Sequence, residues 1–486
     1  MKFEKNYLSL PGHFYARVDP TPVREPVLLA WNSRLGDEFG WGEEPVPDAA
    51  QIFGGNRVPE GAEPVALAYA GHQFGHFVPQ LGDGRAVLLG EVRDAAGALR
   101  EIQLKGGGRT PFSRRGDGRS ALGPALREFL VSEAMAALGV PTTRSLAVVG
   151  TGERVIREEI LPGGVVTRVA SSHVRVGTFQ YFAARGDYAA VEVLAQLVLR
   201  RNYPHLEGVS HPYLQLLEAV AARQAALIAR WMGVGFIHGV MNTDNMAVSG
   251  ETIDYGPCAF LDVYSPEQVY SAIDRGGRYA FCNQPAVAQW NLARFAETLL
   301  PLIDADSRKA IELAGGVVAE FLPQFEKHWL EVFSAKIGIA SAREGDRSLV
   351  EALLEAMAAG RADFTLTFRH LCAAAQDPAA DARVRDLFSE PGLYDAWALR
   401  WRERLRGETR STSERFRDMC AVNPALIPRN HRVEQVLEAA VRVGDLEPFK
   451  KLFHALSHPY SGEGEHTRDA LPPGPGEEIA NTFCGT

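Results

Sequence analysis

The sequence has few cysteines and no long apolar run. None of its five cysteines forms a Cys-x-x-Cys pair, which argues against a zinc site and a secreted disulfide framework. No window approaches the roughly 18 apolar residues of a membrane span. The N-terminus also lacks the apolar core of a signal peptide. We therefore expect a soluble, cytoplasmic protein that does not bind membranes.

An excess of positive charge is also absent. The formal net charge is −9 and the isoelectric point is near 5.9. Binding to nucleic acid through counterion release requires clustered lysines and arginines, so no nucleic-acid partner is expected. The chain is 46% hydrophobic and 23% charged, as in globular proteins, and its 486 residues suffice for two or three domains.

The apolar pattern divides the chain into two parts. From about 60 to 185, short strand-like runs alternate with turn residues, and one helix interrupts them at PALREFLVSEAMAALG. From about 187, apolar residues recur with the helical period. The predicted fold class is α+β: a bilobal, protein-kinase-like fold with a β-rich N-lobe (1–185), a larger helical C-lobe with a C-terminal extension (186–470), and a mobile Pro/Gly-rich tail (471–486).

The segment HGVMNTDN (238–245) resembles a kinase catalytic loop without the aspartate at its third position, which is Val240. The loop's only carboxylate is Asp244. Asn245 and Asp254, which opens DYGP, offer the hard oxygen ligands that Mg²⁺ prefers. Taken alone, each of these residues could equally serve a turn. The short runs MAVSG and ETIDYG around them are predicted to be extended.

Lys105 ends the predicted strand REIQLK, as the phosphate-binding lysine of kinases does. Glu128 lies in the following helix, where an ion pair with Lys105 would aim the ammonium group at a phosphate. Glu133 lies five residues further on, so it is expected to face solvent or to cap. The alternative for Lys105 is a surface ion pair of little energetic value.

Two glycine-rich segments are candidates for phosphate contacts. LGDGR places Gly82 and Gly84 beside Arg85, and GGGRTPFSRRGDGRS (106–120) follows Lys105 directly. The arginines of these segments, together with Arg168 and Arg175, are expected to converge on one polyanion, and a nucleoside triphosphate is the natural candidate. Hairpin turns use the same glycines, so neither segment is specific alone.

Two histidines in GHQFGH, His72 and His76, stand four residues apart. On a helix this spacing would suit a metal. The glycines around them indicate an extended or looped segment, so we expect the two histidines to pack or to form backbone hydrogen bonds. His238 is likewise expected to be structural.

These motifs occur together in a familiar order. LGDGRAVLLGE, IQLKGGGRTPFSRRGDGRS, LREFLVSEAM, TRVASSHVRVGTFQYF, GFIHGVMNTDNM, TIDYGPCAFLD, NQPAVAQWNL and the terminal Cys-Gly-Thr resemble the selenoprotein O family from about residue 10 to the C-terminus. The resemblance implies a kinase-like fold that binds ATP in reversed orientation. It also implies transfer of AMP to Ser, Thr and Tyr hydroxyls of proteins. Whether Mg²⁺ or Mn²⁺ is preferred, and whether UTP replaces ATP, is left open.

The resemblance also implies roles for single residues. Asp244 matches the family's general base, Asn245 and Asp254 its metal ligands, and Lys105 with Glu128 its phosphate-binding pair. The positions expected to contact the nucleotide are Gly82, Gly84, Arg85, Asp117, Gly118, Arg168 and Arg175.

One departure concerns the cysteines. Relatives with a redox link pair the tail cysteine with a cysteine shortly before the GGRYAF-like motif, where this chain has Tyr270. Cys282, just past that motif, would be the substitute partner of Cys484. This makes a Cys282–Cys484 bridge that regulates access to the site a hypothesis.

Two other functions remain open at this stage. The chain could be a kinase that transfers the γ-phosphate, or a nucleotide-sensing pseudoenzyme that only binds partners. The presence of Lys105, Glu128, Asp244, Asn245 and Asp254 together argues against the second, because a binding module needs no base.

Overall fold

The computed structural model describes residues 1–482. It is an α+β fold with one large antiparallel sheet and many helices. The strands are β1 (Phe3–Glu4), β2 (Tyr15–Arg17), β3 (Val27–Trp31), β4 (Val65–Leu67), β5 (Gly71–Gln73), β6 (His76–Val78), β7 (Ala86–Arg93), β8 (Leu99–Lys105), β9 (Ser120–Ala121), β10 (Arg144–Ile156), β11 (Ile160–Ala170), β12 (Phe236–Ile237) and β13 (Ala259–Phe260).

The α-helices are α1 (Ser33–Glu38), α2 (Ala49–Phe53), α3 (Leu122–Ala137), α4 (Val176–Ala183), α5 (Tyr188–Asn202), α6 (Pro212–Gly233), α7 (Gln284–Ile303), α8 (Ser307–Ala319), α9 (Phe321–Lys336), α10 (Asp346–Ala359), α11 (Phe364–Gln376), α12 (Asp381–Arg385), α13 (Pro391–Arg406), α14 (Thr412–Val422), α15 (Asn430–Glu438) and α16 (Glu447–Leu456). No helix among residues 1–482 combines the length and apolar character needed to cross a membrane.

The large sheet has the strand order β2-β4-β7-β8-β11-β10-β3, with β1 added to β7 and β9 added to β11. Lys105, at the end of β8, is opposite Ala86 on one side and Val166 on the other. It is therefore on a central strand, where pairing on both sides fixes its backbone. A lysine held in this way projects from a rigid surface and not from a loop.

The two faces of the sheet bury different partners because side chains alternate along a strand. Val148 and Val166 pack with α3 and the C-terminal helices. The next residues along, such as Val149 and Val165, pack with α1 and α2. Helix α3 thus packs between the C-terminal helices and the sheet face on which Lys105, at the end of β8, lies.

The helical periodicity after residue 187 predicted long helices that the structure contains, including α5, α6 and α7. The stretch 306–338, which reads as one apolar pattern, is divided into α8 and α9, with Glu320 between them.

The prediction that MAVSG and ETIDYG are extended runs is wrong. The short strands near the loop are β12 and β13, which pair with each other outside it. The two runs make only isolated bridges, Arg175 with Ala247 and Thr142 with Thr252. These bridges attach the segment 246–256 to the start of α4 and to the residues before β10. Neither run therefore pairs along its length as a strand does.

The expectation for Glu133 is also wrong. Glu133 is 7% exposed and accepts hydrogen bonds from the Arg144 guanidinium and from the Ser145 N–H, the latter at 2.8 Å. The helical spacing correctly predicted that Glu133 and Glu128 point in different directions. The side of α3 that carries Glu133, however, faces strand β10 and not solvent. Glu133 therefore anchors α3 to the sheet.

The C-terminal segment returns to α3. Phe129 of α3 lies with its ring centroid 5.1 Å from that of Phe453 and 6.1 Å from that of Phe449, both in α16. Thr482 is buried, and its hydroxyl donates to the Pro257 carbonyl at 2.5 Å. Thr482, within the segment 471–486 that is predicted to be mobile, therefore contacts the DYGP turn.

Candidate active site

Four charged side chains meet where β8, α3, β11 and the DYGP turn come together. Lys105 Nζ lies 2.6 Å from Glu128 Oε2 and 2.6 Å from Asp254 Oδ1. The Arg168 guanidinium donates to Glu128 Oε1 and, at 3.0 Å, to the same Asp254 oxygen. Two cations and two carboxylates thus balance each other within one cluster, which we call the charge cluster.

Burial and opposite charge act against each other in the charge cluster. Burial disfavours the ionised carboxylates, but Arg168 and Lys105 outweigh it and lower the pKa of Glu128. The same two cations hold the pKa of Asp254 well below its usual range. Both carboxylates are therefore ionised at neutral pH, which leaves Asp254 able to bind a cation.

The Asp254 backbone has a φ of 69°, in the left-handed region. Non-glycine residues adopt this conformation at a cost, and such strain is concentrated at functional sites. The Asp254 side chain is 28% exposed, whereas those of Glu128 and Arg168 are 4% and 5% exposed. Asp254 is thus the most exposed member of the charge cluster.

In the segment 238–245, the predicted catalytic loop, residues 243–245 form a short 3₁₀ turn. Asp244 is 8% exposed, and burial raises the pKa of its carboxyl to about 7. Its Oδ1 has no hydrogen-bond partner among the described residues. A carboxyl group whose pKa lies near 7 can act as a general base at neutral pH.

The Asn245 side chain is held through its amide nitrogen. Its Nδ2 donates to the Val240 carbonyl at 3.1 Å, which turns its Oδ1 away from that bond. Asp254 accepts from Lys105 and Arg168 through Oδ1 alone, so its Oδ2 is not used in these two contacts. An amide oxygen and a carboxylate oxygen fit a hard divalent cation that completes its shell with phosphates and water. Residues 1–482 contain no cluster of three or more His, Cys, Asp or Glu suited to a metal.

Arg175 lies under the loop. Its guanidinium is 4.4 Å from the centroid of the Tyr69 ring, and its NH1 donates to the Asp244 carbonyl at 3.3 Å. Its NH2 is buried without a hydrogen-bond partner among the described residues. An unused guanidinium donor inside the protein is suited to a phosphate oxygen.

The predicted phosphate loops pack on each other. A Cβ on Gly82 would lie 2.3 Å from Phe112, and one on Gly118 would lie 2.2 Å from the Gly108 carbonyl. At Gly84 the nearest atom, the Phe112 carbonyl oxygen, would be 3.0 Å away. Gly82 and Gly84 are therefore required by the approach of the two loops, and Gly118 by a close approach within the loop 106–120.

Not all predicted cations converge. Arg119 donates to the Thr21 and Pro22 carbonyls and pairs with Glu153 at 2.9 Å, so the expectation that it joins the others is wrong. The Arg119 side chain binds carbonyl groups of the N-terminal segment, and the local sequence around Arg119 does not predict where that segment lies. Arg109, Arg114 and Arg115 are exposed on the loop, whereas Arg85 is half-buried and acts with Lys105 and Arg168 to lower the pKa of Asp254.

Asp117 is exposed and forms an ion pair with Arg157 at 2.8 Å. The contact links the loop 106–120 to the end of β10. Its role toward a nucleotide stays a prediction.

A hairpin for which the sequence predicted packing or backbone hydrogen bonds covers the predicted catalytic loop. Strands β5 and β6 pair antiparallel and contain His72 and His76, in agreement with the extended reading of GHQFGH. The His72 N–H donates to Thr243 Oγ1 at 2.7 Å, and the Phe74 N–H donates to Asn242 Oδ1 at 3.0 Å. A Cβ on Gly71 would lie 2.5 Å from Asp244 Oδ1. The only sequence signal for this close approach was the pair of glycines, Gly71 and Gly75, on either side of His72 and Gln73.

Gln180 was missed altogether. Its Oε1 accepts from Thr243 Oγ1 at 2.6 Å, and its Nε2 is 2.8 Å from His72 Nδ1. It therefore joins α4, the hairpin and the catalytic loop. His238 has the expected structural role, with Nε2 at 2.9 Å from the Ile253 carbonyl and burial lowering its pKa.

The hypothesis of a Cys282–Cys484 bridge involves one residue that the structure describes and one that it does not. Cys282 is exposed, and Cys484 lies outside the described residues. Tyr270, which replaces the expected cysteine, is buried, and its carbonyl accepts from the Thr482 N–H at 2.7 Å.

Comparisons with known proteins agree on one family. The family model described as "Protein adenylyltransferase SelO" matches residues 1–457. A relative named "Protein nucleotidyltransferase YdiU" from Rhizobium meliloti (strain 1021) is 58% identical over 486 residues, covering 100% of this chain and 99% of the relative. A relative of the same name from Rhodopseudomonas palustris (strain BisB5) is 57% identical over 488 residues, with 100% and 99% coverage.

A match of this length and identity decides the family and the enzyme class, nucleotidyltransferase. The chain belongs to the SelO family of protein adenylyltransferases.

Proposed function

We propose that the chain transfers AMP from ATP to the hydroxyl groups of Ser, Thr or Tyr on other proteins and releases pyrophosphate. The observation that carries this proposal is the charge cluster beside the catalytic loop. Asp254 is ionised and is the most exposed member of the cluster, while burial raises the pKa of Asp244 to about 7. Family membership supplies the reaction class, and these side chains supply the means to perform it.

The proposed roles follow from charge. Lys105, Arg168 and Arg175 stabilise the outer phosphates, and the unused NH2 of Arg175 is the donor available without breaking an existing contact. The loop glycines Gly82, Gly84 and Gly118, with Arg85 and Asp117, form the surface along which the nucleotide lies. This arrangement leaves the α-phosphate nearest the catalytic loop.

Asn245 and Asp254 would hold Mg²⁺ or Mn²⁺, which when bound neutralises charge on the phosphates and on the departing pyrophosphate. Asp244 accepts the proton of the attacking hydroxyl. The oxygen–phosphorus bond to the acceptor forms as the bond to pyrophosphate breaks, so the acceptor gains AMP. A positioned base contributes about 10²- to 10⁴-fold to the rate.

The fold proposed for this chemistry is bilobal and protein-kinase-like. Its support is the sheet with α3 and the Lys105–Glu128 pair on one side and the helices after α4 on the other. The proposed divisions are 1–185, 186–470 and 471–486. The loop with Asp244 and Asn245 then lies between the first two parts.

Parallel labelling with ATP that carries the label on the α- or the γ-phosphate tests the function. The purified chain is incubated with metal and either ATP, and intact-mass spectrometry records the products on the chain itself and on added proteins. We expect α-label and one AMP unit on protein, with pyrophosphate released. Transfer of the γ-label would show a kinase. ATP binding without transfer would show a sensing pseudoenzyme.

Asp244→Asn is the matched variant for this test. It keeps the shape of the side chain and removes the proton acceptor, so it should bind ATP and lose transfer. Asp395→Asn, an exposed carboxylate in a 3.3 Å pair with Arg385, is the control for loss of one negative charge.

A further inference from the structure

A group of basic and aromatic side chains lies beside the catalytic loop and has no part in the mechanism above. The Arg278 and Arg294 guanidinium carbons are 4.8 and 5.2 Å from the centroid of the Trp290 ring. The His72 ring meets Trp290 edge-on at 5.2 Å. We call these four residues the Trp290 patch. All four are partly exposed.

The Trp290 patch is fixed to the catalytic loop by direct hydrogen bonds. The Tyr279 hydroxyl, next to Arg278, donates to Asn242 Oδ1 at 2.6 Å. The His72 N–H donates to Thr243 Oγ1 at 2.7 Å. Asn242 and Thr243 immediately precede Asp244, so the patch is held within a few residues of the proposed base.

The positive charge of the patch is not balanced internally. Arg278 forms no ion pair within the described residues, and its Nε is buried without a hydrogen-bond partner. The nearest carboxylate in its own segment, Asp274, accepts from the Arg278 and Tyr279 backbone N–H groups instead. Arg294 pairs with the half-exposed Glu297 at 2.8 Å, but its Nε is also without a partner.

The positive charge of Arg278 and Arg294 affects the pKa of His72. Burial lowers the pKa of His72, and Arg294 and Arg278 lower it further. His72 therefore adds a polar ring and no counter-charge. An acidic chain with a net charge of −9 thus has two arginines, only one of them ion-paired, beside Asn242 and Thr243.

A nucleotide base does not fit this surface well. Stacking on Trp290 would need a free ring face, whereas two guanidinium groups and an imidazole already surround the ring. Guanidinium groups held by an aromatic ring are instead pre-organised for a carboxylate, which they bind through paired N–H donors.

We propose that the Trp290 patch binds an acidic side chain of the acceptor protein and so selects hydroxyl groups that lie close to an Asp or Glu residue. The proposal deepens the proposed function and rests on it. Arg278 makes the main contact because its partly exposed guanidinium forms no ion pair within the described residues, and Arg294 supports it. The patch positions the acceptor and takes no part in bond formation.

Peptides in matched sets test the proposal. Each set has one central Ser, Thr or Tyr in a neutral background, with Glu, Gln or Lys placed at each neighbouring position in turn. AMP incorporation is measured for the full-length chain with ATP and metal. A hydrogen bond to a charged group contributes about 1.5–3 kcal/mol, so we expect Glu peptides to exceed Gln peptides about tenfold or more in kcat/KM at the favoured position.

Two variants assign the preference to the patch. Arg278→Gln should bring the Glu-to-Gln ratio close to one, and Arg278→Glu should shift the preference toward Lys peptides. Arg308→Gln, an exposed arginine on α8, should keep the wild-type ratio. The ratio within one variant is independent of how much active enzyme the preparation contains.

The outcomes separate this proposal from the proposed function. Equal use of Glu and Gln peptides, an unchanged ratio in Arg278→Gln, or AMP on protein but on no peptide would overturn the Trp290 patch as an acceptor site. Absence of AMP on any protein in the intact-mass test would overturn the proposed function, and this inference with it.

Discussion

At the scale of single residues, the site depends on which atoms remain free after internal contacts are made. Asp254 commits Oδ1 to two cations, and Asn245 commits Nδ2 to a backbone carbonyl. Asp244 retains an oxygen without a partner. The first two residues are therefore proposed ligands, and the third is the proposed base.

Removal of either proposed ligand should cost more activity than removal of the base. Asp244→Asn is expected to lower kcat by about 10²- to 10⁴-fold. Asn245→Leu and Asp254→Asn should lower it further, because they also remove the stabilisation of phosphate charge. Initial rates of AMP transfer at saturating ATP across a metal titration measure both effects.

The metal dependence gives this prediction a second readout. The ligand variants should need more metal for half-maximal rate, whereas Asp244→Asn should not. A ligand variant with the wild-type metal dependence would contradict the assignment.

Glu133 allows a prediction about stability. Glu133→Gln breaks its pair with Arg144 in a buried position, which should cost roughly 3 kcal/mol, the lower end for a buried pair because Arg144 is 23% exposed. The shift of the urea unfolding midpoint measures this cost. Glu38→Gln removes the other carboxylate near Arg144, which is 51% exposed, and should cost less than about 1 kcal/mol. Equal effects of the two variants would show that Glu133 does not anchor α3.

At the scale of elements, the hairpin β5–β6 positions the catalytic loop. Its backbone donates to Thr243 and Asn242, and Gln180 joins it to α4 through His72. At Gly71 the hairpin comes so near Asp244 that no side chain fits between them. The loop thus takes its shape from an element that lies more than 160 residues earlier in the chain.

Gly71→Ala should impair chemistry more than nucleotide binding. The added Cβ would lie 2.5 Å from Asp244 Oδ1 and 2.9 Å from its Cβ, so the hairpin or the loop must move. A displacement of about 1 Å at a reacting group can cost about 100-fold in rate. ATP binding by calorimetry together with transfer rates separates the two effects.

Gly392→Ala is the control for this variant, because a Cβ at that position of α13 meets nothing within 4 Å. It should leave transfer unchanged. Wild-type transfer by Gly71→Ala would show that the hairpin does not constrain Asp244.

At the scale of the whole molecule, the C-terminal segment completes the core beside the sheet. Helix α16 places Phe449 and Phe453 against Phe129, the residue that follows Glu128. The Arg127 NH2 donates to the Cys258 carbonyl at 2.6 Å, close to the DYGP turn. The position of Glu128 is therefore supported by segments more than 100 residues later in the chain.

The sequence by itself determined the α+β class, the helices after residue 187 and the Lys105–Glu128 pair, because periodicity and a lysine that ends a strand ahead of a helix are local signals. Only the tertiary structure decided that Glu133 is buried, that Arg119 turns to the N-terminal segment, and that the hairpin at Gly71 lies over Asp244. The Trp290 patch likewise required it, since His72 and Trp290 are joined by packing between distant segments. Local pattern specifies what a residue can do, but long-range packing selects its partner.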